Sequence, residues 1–206
     1  MTLIVAIQLE DSIIVAADNR ITIEKDNGLT RYADVQQKIH DWPQGMISGA
    51  GETCTLERVY KNFQQHHCPD KLPLLLEQAC QLRRHEIGHH DQLDKTRIIY
   101  SQLSDRSIRL YTVAPYEHEF KATEVENMSL ELFIFNADLN PIYSELIELQ
   151  RTLRNWHTFD SDRQWMSYYM DPLQVIFQKY SAFDDTVSAS FSIYFQNMRQ
   201  HFFEQL

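Results

Sequence analysis

Cationic side chains are in short supply: 19 Lys and Arg stand against 29 Asp and Glu, a formal net charge of −10 over 206 residues. A phosphate backbone is bound by clustered Lys and Arg, and the short run Arg83-Arg84 is too small to supply them. Nucleic acid is therefore not an expected partner. Cysteine is scarce as well: Cys54, Cys68 and Cys80 form no paired pattern and no CxxC. An odd number without a secretory signal reads as reduced thiols in a cytosolic protein. Long apolar runs are missing too. Leu3-Ile4-Val5-Ala6-Ile7 is too short for a signal core and follows no basic region, and nothing approaches the roughly 20 apolar residues of a membrane helix. The expectation is a cytoplasmic protein with no membrane partner. Repeats, low-complexity tracts and Pro/Gly-rich linkers are also absent, so one domain over 1–206 is expected, long enough to bury a substantial core.

What is present is a succession of strand and helix patterns. Leu3, Val5, Ile7 and Leu9 alternate with Ile4, Ala6, Gln8 and Glu10, which predicts a strand starting almost at residue 1. After a turn at Glu10-Asp11-Ser12, a second β-rich run extends from Ser12 to Ile23. A third strand is expected through Gln37–Trp42, turning at Pro43-Gln44-Gly45 into Met46–Gly49. Two helices follow: one carries Leu56, Val59, Tyr60 and Phe63 behind the cap candidates Thr53 and Thr55. The other runs from about Leu72 to Ile87 with Pro73 in its first turn. Strands return at Arg97–Tyr100, Ile108–Val113, Phe120–Thr123 and Leu132–Phe135. A third helix is expected from Pro141 to Trp156 and a fourth from Asp171-Pro172. A closing strand places Val187, Ala189, Phe191, Ile193 and Phe195 opposite Ser188, Ser190 and Ser192. This order points to an α+β chain with a two-layered sheet core and helices outside.

Several positions resemble a known family. Thr2-Leu3-Ile4-Val5-Ala6-Ile7 followed by Val15-Ala16-Ala17-Asp18-Asn19-Arg20 resembles the opening of proteasome β subunits and of the bacterial protease HslV, N-terminal-nucleophile hydrolases. Gln37-Lys38-Ile39 resembles the strand presenting that family's catalytic Lys. Ser48-Gly49-Ala50-Gly51 resembles the turn whose backbone N–H forms the oxyanion hole, and Asp185-Thr186-Val187-Ser188 resembles an Asp-x-x-Ser element supporting the nucleophile. The resemblance implies a four-layer αββα sandwich of two antiparallel sheets flanked by helices. It also implies a threonine peptidase in which Thr2, freed by removal of Met1, is the nucleophile. Asp18, Lys38, Gly51, Asp185 and Ser188 would complete the site, with no cofactor and no metal. Polypeptide substrates, a homo-oligomeric ring and an ATP-dependent unfoldase are the partners it implies.

These residue types belong together chemically. A threonine hydroxyl needs a base to take its proton, and an N-terminal α-amine, with a pKa of roughly 7.7–8.0, is one. Lys38 beside it would lower the pKa of amine and hydroxyl, Asp18 would hold Lys38 protonated, and Asp185 and Ser188 would orient the amine. Singly, each has a plainer reading: Asp18 and Asp185 as turn residues, Lys38 and Ser188 on solvated strand faces.

The chain departs from the family pattern at three places. Phe135-Asn136-Ala137-Asp138 replaces a Gly-Ser-Gly turn, Ala189 and Ser190 replace glycines, and the Asp18–Lys38 interval is lengthened around Asp26-Asn27-Gly28. The missing Ser favours an alternative, a catalytically inactive structural ring subunit of the same fold. A further rival is literal: His85-Glu86-Ile87-Gly88-His89 matches the HExxH zinc-peptidase motif. Its charged flanks Arg83 and Asp91, and Gly88 near the helix end, favour a His-rich helix terminus suited to the dipole.

Overall fold

Apolar side chains occupy both faces of the opening strand, so it must be covered on both sides. The computed structural model describes residues 2–24, 30–117, 119–134 and 138–206. The predicted loop at Asp26-Asn27-Gly28 and the stretch Phe135-Asn136-Ala137 lie outside them. Strands β1 (Leu3–Gln8) and β2 (Ser12–Asp18) form the expected hairpin, followed by β3 (Arg20–Glu24) and β4 (Thr30–Asp34). Next come β5 (His40–Trp42), β6 (Gly45–Ala50), α1 (Thr53–His66), α2 (Leu72–Ile87) and the short α3 (Asp91–Asp94). The second half holds β7 (Arg97–Leu103), β8 (Ile108–Tyr116), β9 (Glu119–Glu124) and β10 (Ser129–Ile134). It ends with α4 (Tyr143–Arg151), α5 (Asp162–Phe183), β11 (Phe191–Asn197) and β12 (His201–Gln205).

The fold is mixed α+β and its sheets are antiparallel. One sheet has the order β10-β1-β2-β11-β12, another β5-β6-β7-β8-β9, and β3 pairs with β4 as a separate ribbon. Three apolar clusters account for the burial. Leu3, Val5 and Ile7 pack with Leu146 and Leu149 of α4 and with Trp165, Tyr169, Ile176 and Phe177 of α5. Ile4, Ala6, Ile13 and Val15 face Met46, Ile99, Ile108 and Leu110 of the other sheet. Ile47, Ile98 and Val113 pack with Leu56, Val59 and Phe63 of α1 and Leu72 and Leu76 of α2. Gln8, fully buried, ties the sheets: its Nε2 donates to the Ile108 carbonyl at 3.2 Å and its Oε1 accepts from Leu110 N at 2.6 Å.

Several boundaries differ from the sequence-based expectation, each for a local reason. The run Ser12–Ile23 divides at Asn19: its N–H still meets the Ser190 carbonyl in the β2–β11 register, and Ser188 Oγ, both at 3.2 Å, but from Arg20 onward the chain pairs with β4. The Gln37–Trp42 strand shrinks to His40–Trp42, leaving Lys38 in the segment before it. The helix expected over Pro141–Trp156 stops at Arg151, where Thr152 Oγ1 donates back to the Glu148 carbonyl at 2.8 Å. The helix expected from Asp171 begins at Asp162 behind Ser161, whose hydroxyl accepts from Gln164 N at 3.3 Å. Pro172 sits inside that helix: the buried stripe Trp165, Met166, Tyr169, Leu173, Ile176 continues across it, and tertiary burial outweighs the lost backbone bond. The closing strand starts at Phe191 rather than Val187, and β12 follows it unannounced, because its edge position leaves few side chains buried.

Phe177 of α5 stacks on Phe191 of β11 with centroids 4.5 Å apart at 8°, both fully buried. Phe177→Ala is expected to lower stability by about 3–5 kcal/mol, measured as a fall in urea midpoint at unchanged slope.

Candidate functional site

The break at Asn19 is what builds a site. Asp18, the last residue of β2, is fully buried and its carboxylate serves three donors. Oδ1 accepts from Leu3 N at 2.9 Å and from Lys38 Nζ at 2.8 Å, and Oδ2 accepts from Arg20 N at 3.1 Å. Lys38 Nζ also donates to Thr2 Oγ1 at 3.2 Å. One ammonium thus lies between the buried carboxylate and the hydroxyl of a half-buried threonine. Burial pushes the Lys38 pKa below the ordinary lysine value of 10.5, against the attraction of Asp18. Only 7% of the Lys38 surface reaches solvent, so desolvation is the larger effect.

Two clefts meet at this point. The larger, about 710 Å³, is lined by Thr2, Arg20, Lys38, Gly51 and Arg97 among others. A smaller one of about 240 Å³ shares Thr2, Lys38 and Gly51 and ends against Leu56 and Tyr60 of α1. Gly51 has a φ of +133°, and a Cβ there would lie 2.4 Å from Thr96 Oγ1, so only glycine fits. Beyond it Glu52 caps α1, its Oε2 accepting from Thr55 N at 2.7 Å. This corrects Thr53 and Thr55 as cap candidates.

Asp185 and Ser188 are not brought to Thr2 by any hydrogen bond among the described residues. Asp185 is exposed and offers its carbonyl oxygen to Arg20 Nη1 at 2.7 Å. Ser188 Oγ accepts from Asn19 N and donates to the Ser190 carbonyl at 2.5 Å. Both brace the turn beside Asp18 instead, because β11 begins only at Phe191 and the preceding loop runs past Asn19 and Arg20. Asp138, from the stretch that replaces the Gly-Ser-Gly turn, uses Oδ1 to accept from Asn140 N at 3.0 Å.

Sequence reasoning did not assign Arg20 and Asp34 to the site. Their bidentate pair, at 2.6 and 2.8 Å, clips β3 to β4 at the cleft wall. Its hydrogen bonds raise the Arg20 pKa and lower that of Asp34. An arginine two residues after a strand-ending aspartate was the available signal.

The HExxH residues do not share a helical face. Helix α2 ends at Ile87, Gly88 caps it with a φ of 77°, and His89 lies beyond, 3.6 Å from Asp94. Glu86 is taken by Arg58 at 2.7 Å and Arg83 at 3.1 Å. Among the described residues no three His, Cys, Asp or Glu side chains gather into a potential metal-binding group.

No family model and no curated protein matches the chain. Solved structures do. The chain is similar to Anbu from Pseudomonas aeruginosa, solved as a helical assembly, with a TM-score of 0.72 at 13% identity over 99% of this chain and 86% of that one. It is similar to a Gly-1 mutant of Anbu from Hyphomicrobium sp. strain MC1, with a TM-score of 0.69 at 16% identity over 100% and 88%. Anbu from Yersinia bercovieri, described as an ancestral beta-subunit, gives 0.67 at 13% over 98% and 86%.

The shared fold is that of Anbu. This corrects the resemblance drawn from the sequence, which placed the chain with proteasome β subunits and HslV; the structures it matches here belong to a separate group. Thr2, Asp18-x-Arg20 and Lys38 are too few to separate such groups, and the order of elements does not discriminate between them.

Two outcomes are expected from the buried pair. Asp18→Ala strands the Lys38 ammonium and costs about 3–5 kcal/mol; adding Lys38→Met restores at least half of that, read from urea unfolding of the two variants. The second outcome concerns pH. Between the lowered folded value of Lys38 and 10.5 the unfolded chain binds a proton that the folded chain has released, so stability rises with pH in that window. Lys38→Met removes this rise, as thermal midpoints across the window would record.

Proposed function

We propose that the chain is a threonine-type peptidase whose nucleophile is Thr2 Oγ1, acting as a subunit of a homo-oligomeric, proteasome-like assembly in the cytoplasm. The observation that carries this reading is the Lys38 ammonium held between Asp18 Oδ1 and Thr2 Oγ1, at the point where two clefts meet. The reading includes a single domain over 1–206 arranged as a four-layer αββα sandwich, supported by the three apolar clusters.

Chemistry at this site would begin with removal of Met1, which turns the Thr2 amide into a free α-amine able to act as base. The amine takes the Oγ1 proton as Oγ1 attacks the peptide carbonyl. Lys38 donates a hydrogen bond to Oγ1 and steadies its developing negative charge. The negative carbonyl oxygen is met by the Gly51 N–H, a contribution of about 3–4 kcal/mol to barrier lowering. The C–N bond then breaks, the proton passes to the leaving amine, and an ester on Oγ1 remains. Water, deprotonated by the same amine, cleaves that ester and regenerates Thr2. Asp18 fixes Lys38, while Arg20 and the loop carrying Asp185 and Ser188 keep Asp18 in place.

Polypeptides are the substrate class. Assembly of identical copies is supported by the Pseudomonas aeruginosa Anbu structure, which is a helical assembly, and an ATP-dependent unfoldase would feed a chamber of this kind. A second reading, a structural subunit without turnover, is favoured by one observation: Asp185 and Ser188 give their hydrogen bonds to the turn rather than to Thr2.

Intact mass before and after incubation with an N-terminal-threonine-directed electrophile separates the two. The expected outcome is loss of Met1 and one adduct per chain, absent in Thr2→Ala together with peptide hydrolysis. Retained Met1, or a free Thr2 that takes no adduct, would leave the structural reading standing.

A further inference from the structure

We infer that Thr96 is a positioning residue for the hydrolytic site, holding the Gly51 N–H where the oxyanion forms; the inference rests on the peptidase reading above. Thr96 is fully buried and its hydroxyl both accepts and donates. It accepts from Glu52 N at 3.0 Å and donates to the Gln92 carbonyl at 2.7 Å. The next residue, Arg97, opens β7 and pairs in register with Ala50. Consecutive residues of one chain segment therefore grip the residues on either side of Gly51: Arg97 holds Ala50, and Thr96 holds Glu52.

The grip on Glu52 is reinforced from its side chain, which accepts from Thr55 N at 2.7 Å and from Arg83 Nε at 3.2 Å. With both neighbours pinned, the Gly51 peptide keeps little rotational freedom. The approach is as close as the chain permits, since the space a Gly51 Cβ would need is filled by Thr96 Oγ1, Cα and Cβ at 2.4, 2.5 and 2.7 Å. Thr96 also reaches the cleft wall. Its bond to Gln92 fastens the segment whose Gln92, Asp94 and Lys95 line the larger cleft. A donor that is already aimed before the charge appears is worth most, because nothing must reorganise during the reaction.

The test compares Thr96→Val, which keeps the shape and loses the hydroxyl, with Thr96→Ser, which keeps the hydroxyl, both in the assembled protein lacking Met1. A fluorogenic peptide gives kcat and KM. A peptide vinyl sulfone, which adds to Thr2 Oγ1 without forming a carbonyl oxyanion, reports on the nucleophile alone. In Thr96→Val, kcat is expected to fall on the order of 100-fold, with KM and vinyl sulfone labelling within about twofold, and Thr96→Ser restores kcat. Hydrogen exchange of the Glu52 amide gives a readout independent of turnover: protected in the wild type and Thr96→Ser, opened in Thr96→Val. Unchanged kcat or unchanged exchange in Thr96→Val overturns the inference while the peptidase reading stands. So does a parallel loss of labelling and turnover that Thr96→Ser fails to rescue. A wild type that neither labels at Thr2 nor hydrolyses peptide removes the peptidase reading and the inference with it.

Discussion

The Asp18 carboxylate, sealed from solvent, holds three separate pieces of chain at one point. It receives the first N–H of β1 from Leu3, the first N–H of β3 from Arg20, and the ammonium of Lys38 from the segment before β5. Taking two charges out of water costs several kcal/mol each even after relaxation, and their mutual attraction repays this only with close geometry and further hydrogen bonds. Here both conditions are met, with Lys38 Nζ at 2.8 Å and two backbone donors on the same carboxylate. The start of β1, and with it Thr2, is thereby fixed relative to Lys38. Across Asn19 the same carboxylate accepts from Arg20 N, which steadies the point where β2 gives way to β3.

Around that point the scaffold is rigid from two directions. The hairpin β1–β2 lies between the helices α4 and α5 on one face and the second sheet on the other, with Leu3 and Ile4 fully buried on opposite sides. Opposite Thr2, the turn after β6 is clamped by Glu52, Thr55, Arg83 and Thr96. The two clefts open where these halves meet, and both share Thr2, Lys38 and Gly51. Groups carried by strand ends and a capped turn lose little entropy on binding a substrate, which is the condition for precise positioning.

Much of the framework was legible in the sequence because burial writes a period into it. Alternation in Leu3–Glu10 and the apolar stripe of Leu72–Ile87 located β1 and α2 closely. Illegible features were those set by partners distant in sequence. Nothing local to Ser12–Ile23 announces the division at Asn19, after which the chain leaves its pairing with β11 for one with β4. Pro172 looked like a helix start because a lone proline usually is one, and only the buried face running from Trp165 to Tyr180 overrides it. In the site, Thr2, Asp18, Lys38 and Gly51 fall together as their order implied. Asp185 and Ser188 give their hydrogen bonds to the segment beside Asp18, since β11 begins only at Phe191 and the loop before it runs past Asn19 and Arg20. The Arg20–Asp34 pair was not legible because it requires the β3–β4 ribbon, which has no counterpart in a reading of one continuous strand.

The energetics of the pair also bear on whether the site has a use. A buried ion pair is a poor device for stability, since apolar side chains of similar volume commonly hold a fold equally well or better. Lys38 is followed by Ile39, which is fully buried in the cluster between the sheets, so apolar packing is available within one residue. If the chain needed only to hold a shape, a methionine or leucine at position 38 opposite a small residue at position 18 would do it without the desolvation cost. What those residues could not do is place a proton donor 3.2 Å from a threonine hydroxyl at the junction of two clefts. The Lys38 ammonium beside the Thr2 hydroxyl is thus the feature that supports the hydrolytic reading proposed above over a purely structural subunit.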